Sequence, residues 1–323
     1  MKRAIAAQES VLEAYERTLG VDHQATLINA SNLAALYTDQ GRFSEVEPLY
    51  KRALEAFERV LGREHPSTLS NLNSLANFYV AQGRYSDAEQ LYQRVAETRG
   101  RLLGERHPDV AIAFNNLAAL HFAQSDWGRA VEFWRRSTGS IVQRVVLDTG
   151  GALTGKKKSE AEQLSFQFSM LVKALSRLAD ENNAADAALT REMFQTAQWA
   201  LGSEAAQSLA QMAARSAIND SALATLVRER QDQAAEWQKR DLLRNHTLSQ
   251  TPEKRNAKAD EENLARPIAI DVRIAETDQV EFPDYAALAS AQPLSVEDVQ
   301  AQLGANEALV LFNSNPHCHL RAN

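Results

Sequence analysis

The chain has 323 residues, a net charge of −7, 44% hydrophobic residues and no basic stripe, which argues against nucleic acid or an anionic membrane as a partner. Its single cysteine, Cys318, cannot form an internal disulfide, and no apolar run approaches the roughly 20 residues of a membrane span. The N-terminus has no signal-peptide pattern. We therefore expect a soluble protein in the reducing environment of the cytoplasm.

The first part of the chain repeats with a fixed period. The same step of 42 residues separates Leu33 from Leu75 and Leu75 from Leu117. Other positions that keep this step are Phe43, Tyr85 and Trp127; Tyr50, Tyr92 and Trp134; Leu19, Leu61 and Leu103; and His23, His65 and His107. Apolar residues recur every three or four positions on both sides of the Gly83–Arg84 break. Each period therefore predicts two antiparallel helices joined by a short turn, stacked on their neighbours.

The register also places the start of the chain within a repeat. Met1 aligns with Phe43, so the chain begins at the second helix of a repeat whose first helix is absent. Either this lone helix caps the stack or repeats upstream have been lost, and the second alternative is favoured because its outer face shows no adaptation to capping.

The repeats resemble a known family. Leu33, Ala34, Tyr37, Gly41, Phe43, Tyr50 and Ala53 have the spacing of the tetratricopeptide consensus, and residues 75–95 repeat it. The loops LGREHP (61–66) and LGERHP (103–108) are similar to those of the long kinesin-light-chain variant, while LGVDHQ (19–24) has lost the proline. The third repeat departs from the pattern at Ser125, Asp126 and Ser137, as terminal repeats often do.

This resemblance implies a concave groove lined by the first helix of each pair. The groove positions implied by the family register are Ser31, Thr38, Asp39, Asn73, Asn77, Asn115 and Phe122. Asparagine can both donate to and accept from the backbone of an extended peptide, so we expect a protein or peptide ligand. The alternative is that these are ordinary polar surface residues.

The three repeated histidines do not suggest a metal site. Equivalent positions in adjacent repeats lie about 10 Å apart, whereas zinc needs nitrogens within about 2 Å. We interpret His23, His65 and His107 as loop residues that help to turn the chain, and we expect neither a metal nor a cofactor.

Residues 139–159 are predicted to form a linker. Gly150, Gly155 and Lys156 have the spacing of a phosphate-binding loop, but Lys157 stands where Ser or Thr is needed and no alternation of strands and helices surrounds it. A polar turn leading into a helix near Ser159 is the favoured interpretation.

Residues 160–281 predict a helical bridge. An apolar stripe runs through Leu164, Phe168, Leu171, Val172, Leu175 and Leu178 and continues with Met193, Phe194 and Ala197. A charge-rich helix is expected over residues 220–248, a reversal at Ser249–Pro252, and a second arm near Pro267, which should kink it. This pattern is typical of an antiparallel helical hairpin, through which the chain could self-associate.

In the last part, residues 282–323, Ser295 is a good N-cap for a helix over 296–303, and residues 308–312 predict a strand. The runs at 194–215, 223–232, 282–288, 293–303 and 307–312 resemble the entry to the CHAT domain, a caspase-like peptidase domain that follows tetratricopeptide repeats in bacteria. The resemblance implies a His/Cys dyad on later strands, which this chain does not reach. We expect a truncated domain and no catalysis, and the alternative is the regulatory half of a cysteine peptidase.

The tail offers no substitute for that dyad. His317, Cys318 and His319 are neighbours in a terminus where neither a preorganised nucleophile nor a four-ligand zinc site is expected. The sequence thus predicts an all-α protein: a tetratricopeptide solenoid over residues 1–138, a linker, a helical bridge with a long hairpin, and the start of a CHAT domain with one residual strand. Its predicted function is protein or peptide binding.

Overall fold

The structure, a computed structural model, describes residues 2–148, 155–181, 186–201, 221–251, 254–255, 258, 261–262 and 295–302. In these ranges the regular elements are eleven helices, and no strand occurs among them. They are α1 (Lys2–Leu19), α2 (Gln24–Asp39), α3 (Phe43–Val60), α4 (Pro66–Ala81), α5 (Tyr85–Leu103), α6 (Pro108–Ala123), α7 (Trp127–Asp148), α8 (Gly155–Glu181), α9 (Ala187–Leu201), α10 (Ser221–Leu248) and α11 (Val296–Gln302). The predicted all-α class is confirmed.

The chain forms two compact units. The first comprises Met1–Gly104 and Lys239–Pro267, and the second comprises Glu105–Gln238 and Ile268–Asn323. No helix in the described ranges is both long enough and apolar enough to cross a membrane.

In the first unit the helices pair as the repeat predicts, α2 with α3 and α4 with α5. Small residues at the consensus positions allow this close packing, since Ala34, Ala53, Ala76 and Ala88 are completely buried. The turns inside the pairs contain Gly41 and Gly83 at φ of 71° and 73°, a conformation that glycine adopts without a steric penalty.

Ion pairs link the second helices of successive pairs on their solvent side. Arg52 on α3 donates to Glu16 on α1 at 2.6 Å, and Arg94 on α5 donates to Glu58 on α3 at 2.5 Å. The arginines lie 42 residues apart, as do the glutamates, so the repeat keeps the pair as well as the core. Because the arginines are substantially exposed, each pair contributes little, on the order of 0.2–1 kcal/mol.

In the second unit, α8 and α9 form a further helix pair that packs on α6 and α7. The shared core contains Ala118, Ala130, Val131, Trp134, Met170, Leu171, Ala174, Leu175 and Leu189. The predicted apolar stripe is confirmed at Phe168, Leu171 and Leu175, which are all buried. Helix extends into both ends of the predicted linker, because α7 ends at Asp148 and α8 begins at Gly155.

A buried polar network joins three helices of this unit. The hydroxyl of Ser137 on α7 lies within hydrogen-bond reach of two acceptors, the carbonyl of Ala111 on α6 at 2.7 Å and Gln167 Oε1 on α8, and can donate its one proton to either. Ser137 is fully buried and Gln167 is nearly so. The serine that replaces a small apolar residue in the third repeat therefore has a structural role, because it pairs a buried amide that would otherwise lack this partner.

The first arm of the predicted hairpin is a helix, α10, and the short helix after Ser295 is also present. Arg191 on α9 donates to Glu297 on α11 at 2.9 Å. The second arm of the hairpin lies largely outside the described residues, and Pro267, the strand predicted at 308–312 and the tail lie wholly outside them.

Candidate peptide-binding site

The predicted groove residues of the first unit lie on α2 and α4. On α2, Ser31 and Thr38 are half-buried and their hydroxyls donate to carbonyls one turn earlier, whereas Asp39 is exposed at the end of the helix. On α4, Asn73 is half-buried and Asn77 is exposed. The two helices meet through Asn71, whose Nδ2 donates to Ser31 Oγ at 2.7 Å.

In two of the pairs, α4–α5 and α6–α7, an aromatic residue of the second helix fixes the orientation of an amide on the first. Tyr92 on α5 donates its hydroxyl to Asn77 Oδ1, and Trp134 on α7 donates Nε1 to Asn115 Oδ1 at 3.0 Å. Tyr92 and Trp134 occupy the same position of successive repeats and are both buried. The side-chain oxygens of these asparagines are thus engaged internally, and each Nδ2 can still donate two hydrogen bonds.

Burial keeps these phenols protonated. It raises the pKa of Tyr92 well above its usual value and raises the pKa of the equivalent Tyr50 to about 12, with Asp39 adding to the shift and a hydrogen bond from Ser74 opposing it. Tyr92 therefore remains a neutral donor to Asn77 at any physiological pH.

In the second unit the predicted residues Asn115 and Phe122 both lie on α6 and are half-buried. The Phe122 ring packs edge-on against Trp127 at 4.9 Å and Trp134 at 5.5 Å between centroids. Lys173 Nζ on α8 lies 5.6 Å from the centre of the Phe122 ring, within the range of a cation–π interaction. Phe122 is therefore held by an aromatic cluster and presents only part of its surface to solvent.

Sequence reasoning overlooked two apolar residues on the first helices. Ile28 on α2 and Ile112 on α6 occupy the same repeat position, two turns before Ala35 and Ala119. Their side chains are 40% and 43% exposed. Exposed isoleucines at one repeat position are a signal that could have been found by comparing solvent-facing positions of the repeats rather than only polar ones.

The turns inside the pairs carry compensated charges. Glu47 on α3 accepts from Arg84 at 2.8 Å and Tyr79 at 3.0 Å, and Lys51 lies at 2.9 Å. These donors hold the pKa of Glu47 below its usual value, with Lys51 the largest cause and burial opposing it. An open cavity of about 490 Å³ lies beside this cluster and is lined also by Phe43. Arg84 also pairs with Asp87 at 2.7 Å, so the two bases and two acids balance and the cluster offers no surplus charge for an ion.

The three histidines are N-caps rather than simple turn residues. The Nδ1 atoms of His23, His65 and His107 accept from the backbone N–H two residues on, at 3.2, 3.0 and 3.1 Å. This bond satisfies one of the free N–H groups at the start of α2, α4 and α6. Proline follows His65 and His107 at the first helical position, where its fixed φ suits the helix.

The end of α10 docks on the inter-repeat loops of the first unit. Nε2 of His65 lies 3.0 Å from the carbonyl oxygen of Ser249, and because Nδ1 is an acceptor, Nε2 carries the proton and donates it. Arg244, only 3% exposed, pairs with Asp241 and donates to the carbonyl of Leu103, the last residue of α5, at 3.0 Å. A buried guanidinium at this carboxyl end is favoured by the helix dipole.

A family model described as "Tetratricopeptide repeat" matches residues 1–59, 30–99 and 67–138. Residues 1–138 are therefore tetratricopeptide repeats, as the sequence predicts.

Three solved structures are similar. The putative kinesin light chain of Podosopora anserina, described as having nearly identical TPR-like repeats, is 21% identical over 60% of this chain and 95% of its own, with a TM-score of 0.37. A point variant of that protein is 21% identical over 59% and 93%, with a TM-score of 0.36. BtubC (BKLC) from P. vanneervenii is 22% identical over 68% and 92%, with a TM-score of 0.41. No curated protein matches the sequence.

Proposed function

We propose that this chain is a scaffold that binds an extended protein segment along the first helices of its tetratricopeptide repeats. One observation carries the proposal: buried aromatic residues of the second helices hold Asn77 and Asn115 by their side-chain oxygens. An amide fixed in this way has lost its rotamer freedom before a ligand arrives, which reduces the entropic cost of binding. Its Nδ2 donors suit backbone carbonyls, so the proposed ligand is recognised partly through its main chain.

The proposal also covers the charge and polarity of the ligand. Among the predicted groove residues Asp39 is the only charged one, and the exposed isoleucines Ile28 and Ile112 lie on the same helices. We therefore propose a ligand with small apolar side chains and few acidic residues. Asp39 would oppose an acidic residue at its end of the segment.

Peptide display with a random library tests this function. Selected peptides should bind the wild-type chain, and Asn77→Ala and Asn115→Ala should each reduce their affinity, because each removes one of the fixed amides. Arg52→Ala is the matched control, because Arg52 lies on the solvent side of α3 and its exposed ion pair contributes little to stability. Equal loss of binding in Arg52→Ala and in the groove variants, or no loss in either groove variant, would contradict the proposal.

The wider proposal is that the chain is the non-catalytic N-terminal part of a bacterial CHAT-domain protein located in the cytoplasm. The ordered series of CHAT-like motifs in residues 194–312 supports it, and the single cysteine supports the reducing location. The alternative is that it forms the regulatory half of a caspase-like cysteine peptidase. A thiol-reactive probe separates catalysis from binding: selective labelling of Cys318 together with cleavage of a protein substrate would establish an enzyme.

A second proposed role is self-association through α10. Leu242 and Leu243 on this helix are 71% and 44% exposed, which is unusual for adjacent leucines. Sedimentation of the wild-type chain and of Leu242→Glu tests it, and an identical monomeric boundary for both would exclude the role.

A further inference from the structure

We propose that the first inter-repeat loop, residues 19–24, together with Val60, is a docking site for the carboxyl end of a helix from a partner protein. This site lies at the loops between repeats and is distinct from the proposed groove. We call it the first loop site. The inference comes from comparing it with the next loop, residues 61–66, where the chain itself supplies such a helix end.

The second loop shows what the sequence LGxxH can bind. There α10 ends at Leu248, and the carbonyl of Ser249 accepts from Nε2 of His65. His65 is 1% exposed and Leu248 is 7% exposed, so the contact excludes water from both. The last carbonyls of a helix have no partner within that helix, and the histidine supplies one of the missing donors.

The first loop has the same backbone arrangement. Gly20 and Gly62 have φ of 94° and 90°, and the hydroxyls of Thr26 and Thr68 donate to the carbonyls of these glycines at 2.8 Å in both loops. The backbone N–H of each loop histidine donates to the same glycine carbonyl at 3.4 Å.

The side chain of His23 is also held in the same way. Its Nδ1 accepts from Ala25 N, as Nδ1 of His65 accepts from Ser67 N. Nε2 of His23 therefore carries a proton that it can donate to a partner. Nε2 of His65 donates the equivalent proton to the carbonyl of Ser249.

The two loops differ in what covers them. His23 is exposed, whereas His65 is buried, and Leu19 is 46% exposed, whereas the equivalent Leu61 is 4% exposed. Val21 in the first loop is 50% exposed, and Val60, which is 37% exposed, follows Arg59, whose side chain pairs with Asp22 of the loop at 2.7 Å. A preformed donor in a loop that also exposes apolar side chains is an arrangement suited to recognition, because little ordering is needed on binding.

The occupant follows from continuity with the contact already made at the second loop. The end of α10 contacts the repeats in reverse order. Arg244 donates to the carbonyl of Leu103, and further along the chain the carbonyl of Ser249 accepts from His65. The first loop is the next equivalent position in that direction. The chemistry that fits it is a helix end with a leucine near its last turn and a free carbonyl, like that of α10.

A synthetic peptide tests the site. Fluorescein-labelled residues 234–255, which reproduce the end of α10, are titrated into the full chain and followed by fluorescence anisotropy. His23→Asn keeps an excellent N-cap but lacks the Nε2 donor, and should weaken binding about tenfold, the effect of one hydrogen bond to a desolvated carbonyl. Leu19→Lys should also weaken it.

Two controls locate the binding. Val11→Lys changes a residue of α1 that is 39% exposed and outside the first loop site, and should leave the affinity unchanged. His65→Asn should also leave it unchanged, whereas a loss in that variant alone would mean that the peptide replaces the end of the chain's own α10. Three results would overturn the proposal: a loss of affinity in His65→Asn alone, equal affinity of His23→Asn and the wild-type chain, or no binding at about 1 mM peptide.

Discussion

The contact of His65 with the end of α10 can be separated from its role as a helix cap by three substitutions. His65→Asn preserves a good N-cap for α4 and removes the donor to Ser249. His65→Ala removes both. His23→Ala removes a cap of the same geometry from α2, where the histidine is exposed and makes no comparable buried contact.

The expected losses follow from these contacts. An N-cap is worth about 1 kcal/mol, so His23→Ala should cost about that much. The bond to the carbonyl of Ser249 adds about 0.5–1.5 kcal/mol, which is the cost expected for His65→Asn. His65→Ala loses both contributions and should destabilise the first unit by about 1.5–2.5 kcal/mol.

Hydrogen exchange followed by mass spectrometry resolves the three effects, because it reports local opening along the chain. His65→Asn should accelerate exchange in peptides covering the end of α10 and leave the start of α4 unchanged. His65→Ala should accelerate both, and His23→Ala should affect only the start of α2. Unchanged exchange at the end of α10 in both His65 variants would refute the assigned contact.

The same contact should depend on pH. Burial lowers the pKa of His65, Arg255 lowers it further, and the bond to Ser249 opposes the shift. The folded chain therefore binds this proton less readily than the unfolded chain, so stability is complete above the unfolded pKa of about 6.5 and is lost as the pH falls below it. Because His65→Asn has no such group, its stability relative to the wild-type chain should improve below about pH 6.5. A difference that stays constant or widens on acidification would contradict the assigned shift.

Three further substitutions test the account. Ser137→Ala leaves the buried amide of Gln167 without its hydroxyl partner and should lower the stability of the second unit by about 1–3 kcal/mol, measured by thermal unfolding. Adding Gln167→Leu should recover part of this loss. Strict additivity of the two losses would contradict the network. Ser125→Gly should raise stability by about 0.5–1 kcal/mol, because Ser125 has φ of 60° where glycine is unstrained, and a lower melting temperature would contradict this. Arg52→Ala should change stability by less than about 1 kcal/mol, and a larger loss would mean that its exposed pair with Glu16 is more strongly coupled than its exposure indicates.

The helix pairs could be predicted from the sequence because their signals are local. The spacing of apolar residues and the alanines at closest approach depend on one repeat and its neighbour. The histidines could be assigned to loops for the same reason. Their capping bonds depend on side-chain rotamers, and the second bond of His65 depends on a segment 184 residues away, which periodicity cannot reveal.

Departures from the repeat pattern were harder to interpret. The repeat pattern alone indicates that Ser137 belongs to a degenerate terminal repeat, but its partner Gln167 lies on a helix outside the 42-residue register. Asp126 replaces the arginine that stands at position 84 of the preceding repeat, and Arg129 replaces the acid at position 87. The ion pair therefore persists at 3.4 Å with its charges reversed. The partner of Ser137 lies outside its repeat, whereas the partner of Asp126 lies within it and is found only when both positions are compared with the earlier repeats together.

The central claim is that the first helices of the repeats bind an extended protein segment. Hydrogen exchange of the chain with and without a display-selected peptide tests it directly. The account predicts that protection in the first unit is concentrated in α2 and α4, around Ser31 and Asn73. Protection confined to α3 and α5, with the first helices unchanged, would contradict it.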